Sequence, residues 1–184
     1  MAEQNALVSL SPLFLSYREE ILGANQVLDL ACGRGRHSLE AATGNALVVG
    51  LDRNRTHLRN LSASAKEKHV DRNLLLVCAD LETESEQTLQ EGTWDIILVF
   101  RYLHRPLCHW IERALRPGGL LLYETFTEEQ LNLNGGPMNP DFLLTKGELP
   151  KLFRSFKTEY FEETVNLERH QALASLAARR LPTS

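Results

Sequence analysis

Short apolar runs punctuate the first two thirds of the chain, at residues 27–31, 46–51, 74–79, 94–100 and 120–126. Ile96, Ile97, Leu98 and Val99 stand in unbroken succession. Runs of this length predict strands buried on both faces. Between them, apolar residues return at helical spacing. Leu107, Trp110, Ile111, Ala114 and Leu115 share one helical face, and Leu58, Leu61 and Ala65 form a thinner stripe. Pro106 suits the first turn of the former helix, where its missing N–H costs little. Arg116-Pro117-Gly118-Gly119 then turns into the next strand. Strands alternating with helices predict an α/β fold with a mostly parallel sheet.

The two ends of the chain are patterned differently. Residues 10–22 predict a helix lying over a cleft, with Tyr17 and Arg18 as candidate contacts. Residues 127–142 hold Asn132, Asn134, Gly135, Gly136, Pro137, Asn139 and Pro140, a composition for neither helix nor strand. Thr145 and Glu148 have capping-box spacing, but Pro150 conflicts with a long helix there. Residues 156–161 predict a strand. Gln171–Arg180 is rich in Ala and Leu, so propensity alone favours helix.

A chain of 184 residues suits one domain, 1–184, with one core. Its 43% apolar and 24% charged residues are ordinary for a soluble protein. No stretch nears the roughly 20 apolar residues that cross a bilayer, and residues 1–5 lack a secretion signal's basic start. The chain is expected to be cytoplasmic, with no membrane partner. A net charge of −4 disfavours a nucleic-acid surface. The cysteines, Cys32, Cys78 and Cys108, are odd in number and widely spaced, so they predict free thiols. Cys78 lies in an apolar run and is expected in the core. No metal-ligand cluster is evident.

The chemistry concentrates in residues 27–38, a strand, a Gly-x-Gly turn and a helix start. Gly33 and Gly35 let the backbone bend sharply and a ligand approach closely. The third glycine of dinucleotide-binding turns is replaced by Ser38, and Asp29 precedes the bend. Asp52 ends the second strand and can accept from two ribose hydroxyls. Such charge-assisted bonds contribute about 1.5–3 kcal/mol. Asp80 ends the third strand and can accept from an adenine amine. Three carboxylates thus fall at or near the ends of successive strands, where open α/β sheets bind ligands.

Asp29-Leu30-Ala31-Cys32-Gly33-Arg34-Gly35 resembles the first motif of class I methyltransferases, and Asp52 and Asp80 match the next two. Arg116-Pro117-Gly118-Gly119-Leu120 is similar to the turn before their fifth strand. The resemblance implies a Rossmann-like, mostly parallel seven-stranded sheet with an antiparallel last strand and helices on both faces. It therefore implies that Gln171–Arg180 is a strand. The implied cofactor is S-adenosylmethionine. Asp29 would hold its methionine amino group, with Ala31, Gly33 and Gly35 lining methionine and ribose. Asp52 would take the ribose hydroxyls, with Arg53 beside it in the same set. Asp80 and Leu81 would meet adenine, and Phe100 and Arg101 would flank the sulfonium. The run from Cys32 to Ser38 and residues 144–161 resemble the small tellurite-resistance-type methyltransferases, which implies small, soft or metalloid acceptors.

Methyl transfer from an activated sulfonium asks the protein mainly to align an acceptor. Tyr102 and His104, after the fourth strand, are the candidate catalytic groups, with Arg101 and Arg105 nearby. His37, Arg169 and His170 are further candidates. Residues 127–142 follow the fifth strand and are expected to form an acceptor wall or lid. The fourth strand does not end in the Asn-Pro-Pro-Tyr type of motif carried by many base amino methyltransferases, and no target-recognition domain is evident. A small-molecule acceptor is the leading expectation. The alternatives are RNA or protein methylation with a partner, or a cofactor-binding module without catalysis.

Overall fold

Successive strand residues point to opposite faces of a sheet, so an unbroken apolar run serves two cores at once. The computed structural model, which describes residues 10–83 and 90–182, bears this out. Val27, Ile96, Leu98 and Leu122 pack on one face with Phe14 and Ile21. Leu28, Leu30, Ile97, Val99 and Tyr123 pack on the other with Leu107, Ile111 and Phe153. Helices α1 (Pro12–Ser16), α2 (Arg18–Gly23) and α3 (Arg36–Ala41) cover the first face. Helices α5 (Leu107–Ala114) and α6 (Glu148–Leu152) cover the second, and α4 (Arg55–Glu67) flanks the second and third strands.

The strands are β1 (Gln26–Leu30), β2 (Leu47–Asp52), β3 (Leu74–Cys78), β4 (Trp94–Phe100), β5 (Leu115–Phe126), β6 (Phe156–Asn166) and β7 (Gln171–Arg180). They form one sheet in the order β3-β2-β1-β4-β5-β7-β6. Strands β1 to β5 are parallel, and β7 runs antiparallel to both β5 and β6. This is the sheet that the family resemblance implied. Strand order reverses at β1, which lies between β2 and β4, and such switch points open a crevice at the carboxyl edge. In β7 the helix propensity of Ala and Leu is overridden by pairing on both sides. Ala174, for example, lies beside Thr125 of β5 and Glu163 of β6.

Four local expectations are corrected. Residues 10–22 form two short helices, not one, because Tyr17 leaves helical geometry at φ −112°. Cys78 is exposed rather than core, as are Leu75 and Val77, because β3 is an outer strand with only β2 beside it. Helix α5 stops at Ala114; Leu115 already pairs with Trp94. Arg116 to Gly119 then bulge out, with Gly118 at φ +80°, before Leu120 rejoins beside Ile96. Strand β6 extends to Asn166, beyond 161, because it pairs along the whole of β7.

Pro150 raises no conflict, because α6 starts only at Glu148 and the proline falls in its first turn. The Glu148 carboxylate reaches back to the Thr145 N–H at 2.8 Å, half of a capping box. Arg105 grips the same carboxylate at 2.6 and 3.1 Å and holds it down to about pKa 2.

Asp95 anchors the entry to the central strand. This buried carboxylate accepts from the N–H groups of Asn25 and Gln26, at 2.7 and 2.8 Å, and pairs with Arg116. Asp95→Ala is expected to cost about 1.5–3 kcal/mol in urea unfolding, since two backbone donors lose a charged partner. Arg116→Ala, whose guanidinium is half exposed, should cost about 1 kcal/mol or less. Equal losses would contradict this assignment.

Candidate functional site

The segment leaving β1 turns tightly. Ala31, Gly33 and Gly35 take positive φ of 53°, 58° and 71°. A Cβ on Gly35 would strike the Leu61 methyls at 2.3 Å, so this glycine seats α3 against α4. A Cβ on Gly33 would meet nothing within 4 Å, so this glycine faces open space. The Gly33 N–H donates to Asp52 Oδ2 at 2.7 Å, and Asp52 Oδ1 accepts from Asn54 N–H at 2.7 Å. Asp52 thereby ties the β1 turn to the end of β2. Each carboxylate oxygen has a second lone pair free for a further donor.

Asp29 is buried and accepts from Ser38 Oγ at 2.5 Å. Burial pushes its carboxyl up to about pKa 7, against the opposing pull of the Ser38 hydrogen bonds. Ser38, read in the sequence only as a missing glycine, is thus the partner of the buried acid. Asp80 is half-exposed; its Oδ1 accepts from Glu82 N–H at 3.0 Å, and Arg53 stands 3.8 Å from its Oδ2.

Three cavities open at this edge. The first, about 450 Å³, has Ala31, Gly33, Asp52, Arg53, Asp80 and Leu81 among its lining residues. The second, about 430 Å³, adjoins it at Ala31 and Gly33 and adds Asp29, Gly35 and Phe100. The third, about 630 Å³, runs under α1 and the β6–β7 pair. Arg101 borders all three. The sequence-predicted cofactor residues therefore line two adjoining spaces.

The acceptor-side candidates are spread more widely. Tyr102 lines the first cavity, in company with Asp80 and Leu81. Its hydroxyl is buried without a hydrogen bond, and burial pushes its pKa up. His104 lines none of the three cavities; its carbonyl accepts the Leu107 N–H at the start of α5. Arg105 is committed to Glu148 and to the Asp141 and Leu143 carbonyls. His37 borders the second cavity but is buried between the rings of Phe14 and Phe100. Its Nε2 accepts the Ser11 N–H, and burial lowers its pKa to about 3, so it is neutral near pH 7. Tyr17 and Arg169 reach the third cavity, whereas Arg18 pairs with Glu40. His170 contributes its carbonyl to Gln130.

Gln130 shapes the loop after β5. Fully buried, it donates to the Gly135 and His170 carbonyls and accepts the Ala172 N–H, all within 3.0 Å. It fixes residues 127–142 as a wall whose Pro137 and Phe142 border the first cavity.

Sequence reasoning missed Glu124. This β5 carboxylate is 3% exposed, accepts from Ser11 Oγ at 2.7 Å and Ser175 Oγ at 3.2 Å, and stands 3.5 Å from Arg101 Nη2. Its Oε1 makes no hydrogen bond, and neither does Arg101 Nη1. A buried polar atom left so costs about 1–3 kcal/mol. The signal was present: Glu124 is the only charged residue of the apolar run 120–126. Arg101 itself has φ +63°, an uncommon conformation for a side-chain-bearing residue. Its N–H donates to the Glu124 carbonyl at 2.7 Å, and its guanidinium lies 4.8 Å over the Phe126 ring.

The family profile described as a methyltransferase domain matches residues 27–119, half of the chain. No curated protein matches the sequence. Among solved structures, TehB from Haemophilus influenzae is similar over 97% of this chain and 64% of its own, with TM-score 0.75 and 18% identity. An S-adenosylmethionine-dependent methyltransferase from Methanosarcina mazei is similar over 95% and 100%, with TM-score 0.72 and 19% identity. Geranyl diphosphate C-methyltransferase from Streptomyces coelicolor A3(2), solved with Mg2+, geranyl diphosphate and S-adenosyl-L-homocysteine, is similar over 90% and 79%, with TM-score 0.67 and 14% identity.

The buried state of Asp29 has a pH signature. Its folded pKa lies above the unfolded value of about 3.9, so its contribution to stability falls as pH rises from about 4 and levels off above about 7. Asp29→Asn should remove this slope. Melting temperatures across pH 5 to 8 should show the variant gaining on the parent as pH rises. A constant difference would contradict the elevated pKa.

Proposed function

Since the chain belongs to the methyltransferase-domain family, we propose that it transfers a methyl group from S-adenosylmethionine to a small-molecule acceptor. The observation that carries this reading is the pair of adjoining cavities beneath the Gly33 turn, with Asp29, Asp52 and Asp80 on their walls. Each falls within the roughly 300–1,000 Å³ of small-ligand sites. The walls fit the cofactor's parts. Asp52, with lone pairs to spare, suits two ribose hydroxyls. Asp80 and Leu81 suit the adenine edge, with Arg53 beside them. Asp29, buried beside Ser38, suits the methionine ammonium, and a bound cation there would favour its ionised form. Ala31, Gly33 and Gly35 offer backbone without bulk. Arg101 stands where the two spaces meet the third, and Phe100 lines the second.

When bound, the cofactor supplies a methyl group on a positively charged sulfur. The chain's task is then to hold the two reactants in line and keep water away. Tyr102 is proposed to close the site on the adenine side, and its elevated pKa keeps it a hydrogen-bond donor rather than a base. His104, in this reading, acts through its backbone at the start of α5.

A small-molecule acceptor is supported by the acidic net charge of −4. The similar enzyme solved with geranyl diphosphate adds support. Among the described residues, no helix is long and apolar enough to cross a membrane and no metal-binding cluster occurs. Three free thiols suit a cytoplasmic setting, and residues 1–184 act as one domain in this account.

Two measurements test this reading. Asp52→Ala should weaken S-adenosylmethionine binding at least tenfold in calorimetry, since it removes about 1.5–3 kcal/mol of charge-assisted bonding; unchanged affinity would refute the ribose contact. In a cell extract given cofactor labelled in the methyl group, label should enter the small-molecule fraction. Label mainly in RNA or protein would replace this acceptor class with the macromolecular one.

A further inference from the structure

We propose that the third cavity is the acceptor pocket and that it takes a small amine bearing a nearby hydrogen-bond acceptor, held between Glu124 and Arg101. The proposal rests on the methyltransferase reading and deepens it. The cavity, about 630 Å³, shares Arg101 and Gln171 with the space lined by Asp29 and Gly35, so the two adjoin at the guanidinium. Its depth is set by Glu124, which is 3% exposed.

The hydrogen-bond inventory at this depth is incomplete in a specific way. Ser11 and Ser175 hydroxyls engage Glu124 Oε2, whereas Oε1 has no donor. Arg101 gives Nη2 to Gln171 Oε1 at 3.2 Å and lies over Phe126, whereas Nη1 has no acceptor. The ion pair between them is long, at 3.5 Å. Buried polar groups are rarely left unpaired. One ligand presenting an N–H and, a few bonds away, a hydroxyl or carbonyl oxygen satisfies both.

The walls favour nitrogen as the donor. Glu124 Oε1 is the buried acceptor left open, and Glu162 adds a carboxylate on the wall, whereas Glu159 is already paired with Arg179. Arg169 is exposed at the rim, and Arg101 is already opposed by Glu124. Tyr17 and Tyr160 add aromatic rings, which attract cations. A carboxylate ligand would instead meet Glu124 with like charge.

The transfer balances without any further reactant. An ammonium nitrogen yields one proton to Glu124, and its freed lone pair forms the carbon–nitrogen bond. The carbon–sulfur electron pair returns to sulfur. The positive charge leaves sulfur and appears on the methylated nitrogen, and Glu124 later passes its proton to water.

The test uses two ligands of similar size and opposite charge, phenylglycinol (an amine beside a hydroxyl) and mandelate (a carboxylate beside a hydroxyl). Each is titrated into the full isotope-labelled chain and followed by backbone amide shifts. Phenylglycinol should move the amides of Arg101, Glu124, Tyr160 and Ser175, and mandelate should bind at least tenfold more weakly. Glu124→Gln should weaken phenylglycinol at least tenfold. Should that variant fail to fold, Thr164→Trp, at an exposed wall position, should block phenylglycinol by filling the cavity. Tighter binding of mandelate, shifts away from these residues, or unchanged binding in the folded variants overturns the proposal. Calorimetry with S-adenosylmethionine on the same chain separates the two claims. Cofactor binding without phenylglycinol binding sinks the amine pocket alone, whereas no cofactor binding sinks the methyltransferase reading.

Discussion

The site depends on one hydrogen bond, from the Gly33 N–H to the Asp52 carboxylate, 2.7 Å long. It joins the end of β1 to the end of β2 at the point where strand order reverses. Together with the Cys32 N–H donating to the Leu51 carbonyl at 3.0 Å, it holds a turn with three positive-φ residues in shape. With it, the bend stays open and the acid stays at the edge. Asp52 is thus both a part of the scaffold and, in the proposed function, a ligand for the ribose. The sheet beneath supports this arrangement, since β1 is paired on both sides and anchored at its entry by Asp95.

A second theme is the placement of charge in apolar surroundings. Asp29 and Glu124 are both nearly buried, but their neighbours differ. Asp29 accepts from the hydroxyl and the backbone N–H of Ser38, and burial raises its pKa. Glu124 has two hydroxyls and a nearby guanidinium. The first environment suits a cationic group that restores ionisation. The second suits a ligand that completes bonds left open. Burial thus gives each of the adjoining cavities its own chemical preference.

Much of the fold was legible because periodicity maps directly onto burial. The runs at 94–100 and 120–126 gave two-sided strands, and the face from Leu107 gave α5 as far as Ala114, with Leu115 passing to β5. Spatial order is not written in periodicity. The run at 74–79 looks like the others, yet β3 lies at the sheet edge and exposes Leu75, Val77 and Cys78. Gln171–Arg180 needed the family resemblance, because its residues favour helix until neighbours on both sides claim its backbone. In the site, the Gly-x-Gly bend and the two strand-end acids were readable from spacing. Glu124 stood out only as a lone charge in an apolar run; its role was not readable, because that comes from Arg101, Ser11 and Ser175, which are distant in sequence. His37 looked available at a helix start, but its burial between two rings comes from α1 folding over it.

The most direct measurement of the central claim is a crystal structure with S-adenosyl-L-homocysteine. Its ribose should lie on Asp52, its adenine beside Asp80 and Leu81, and its amino group toward Asp29. A ligand lying elsewhere, with Asp52 engaged only by Gly33 and Asn54, would contradict the claim.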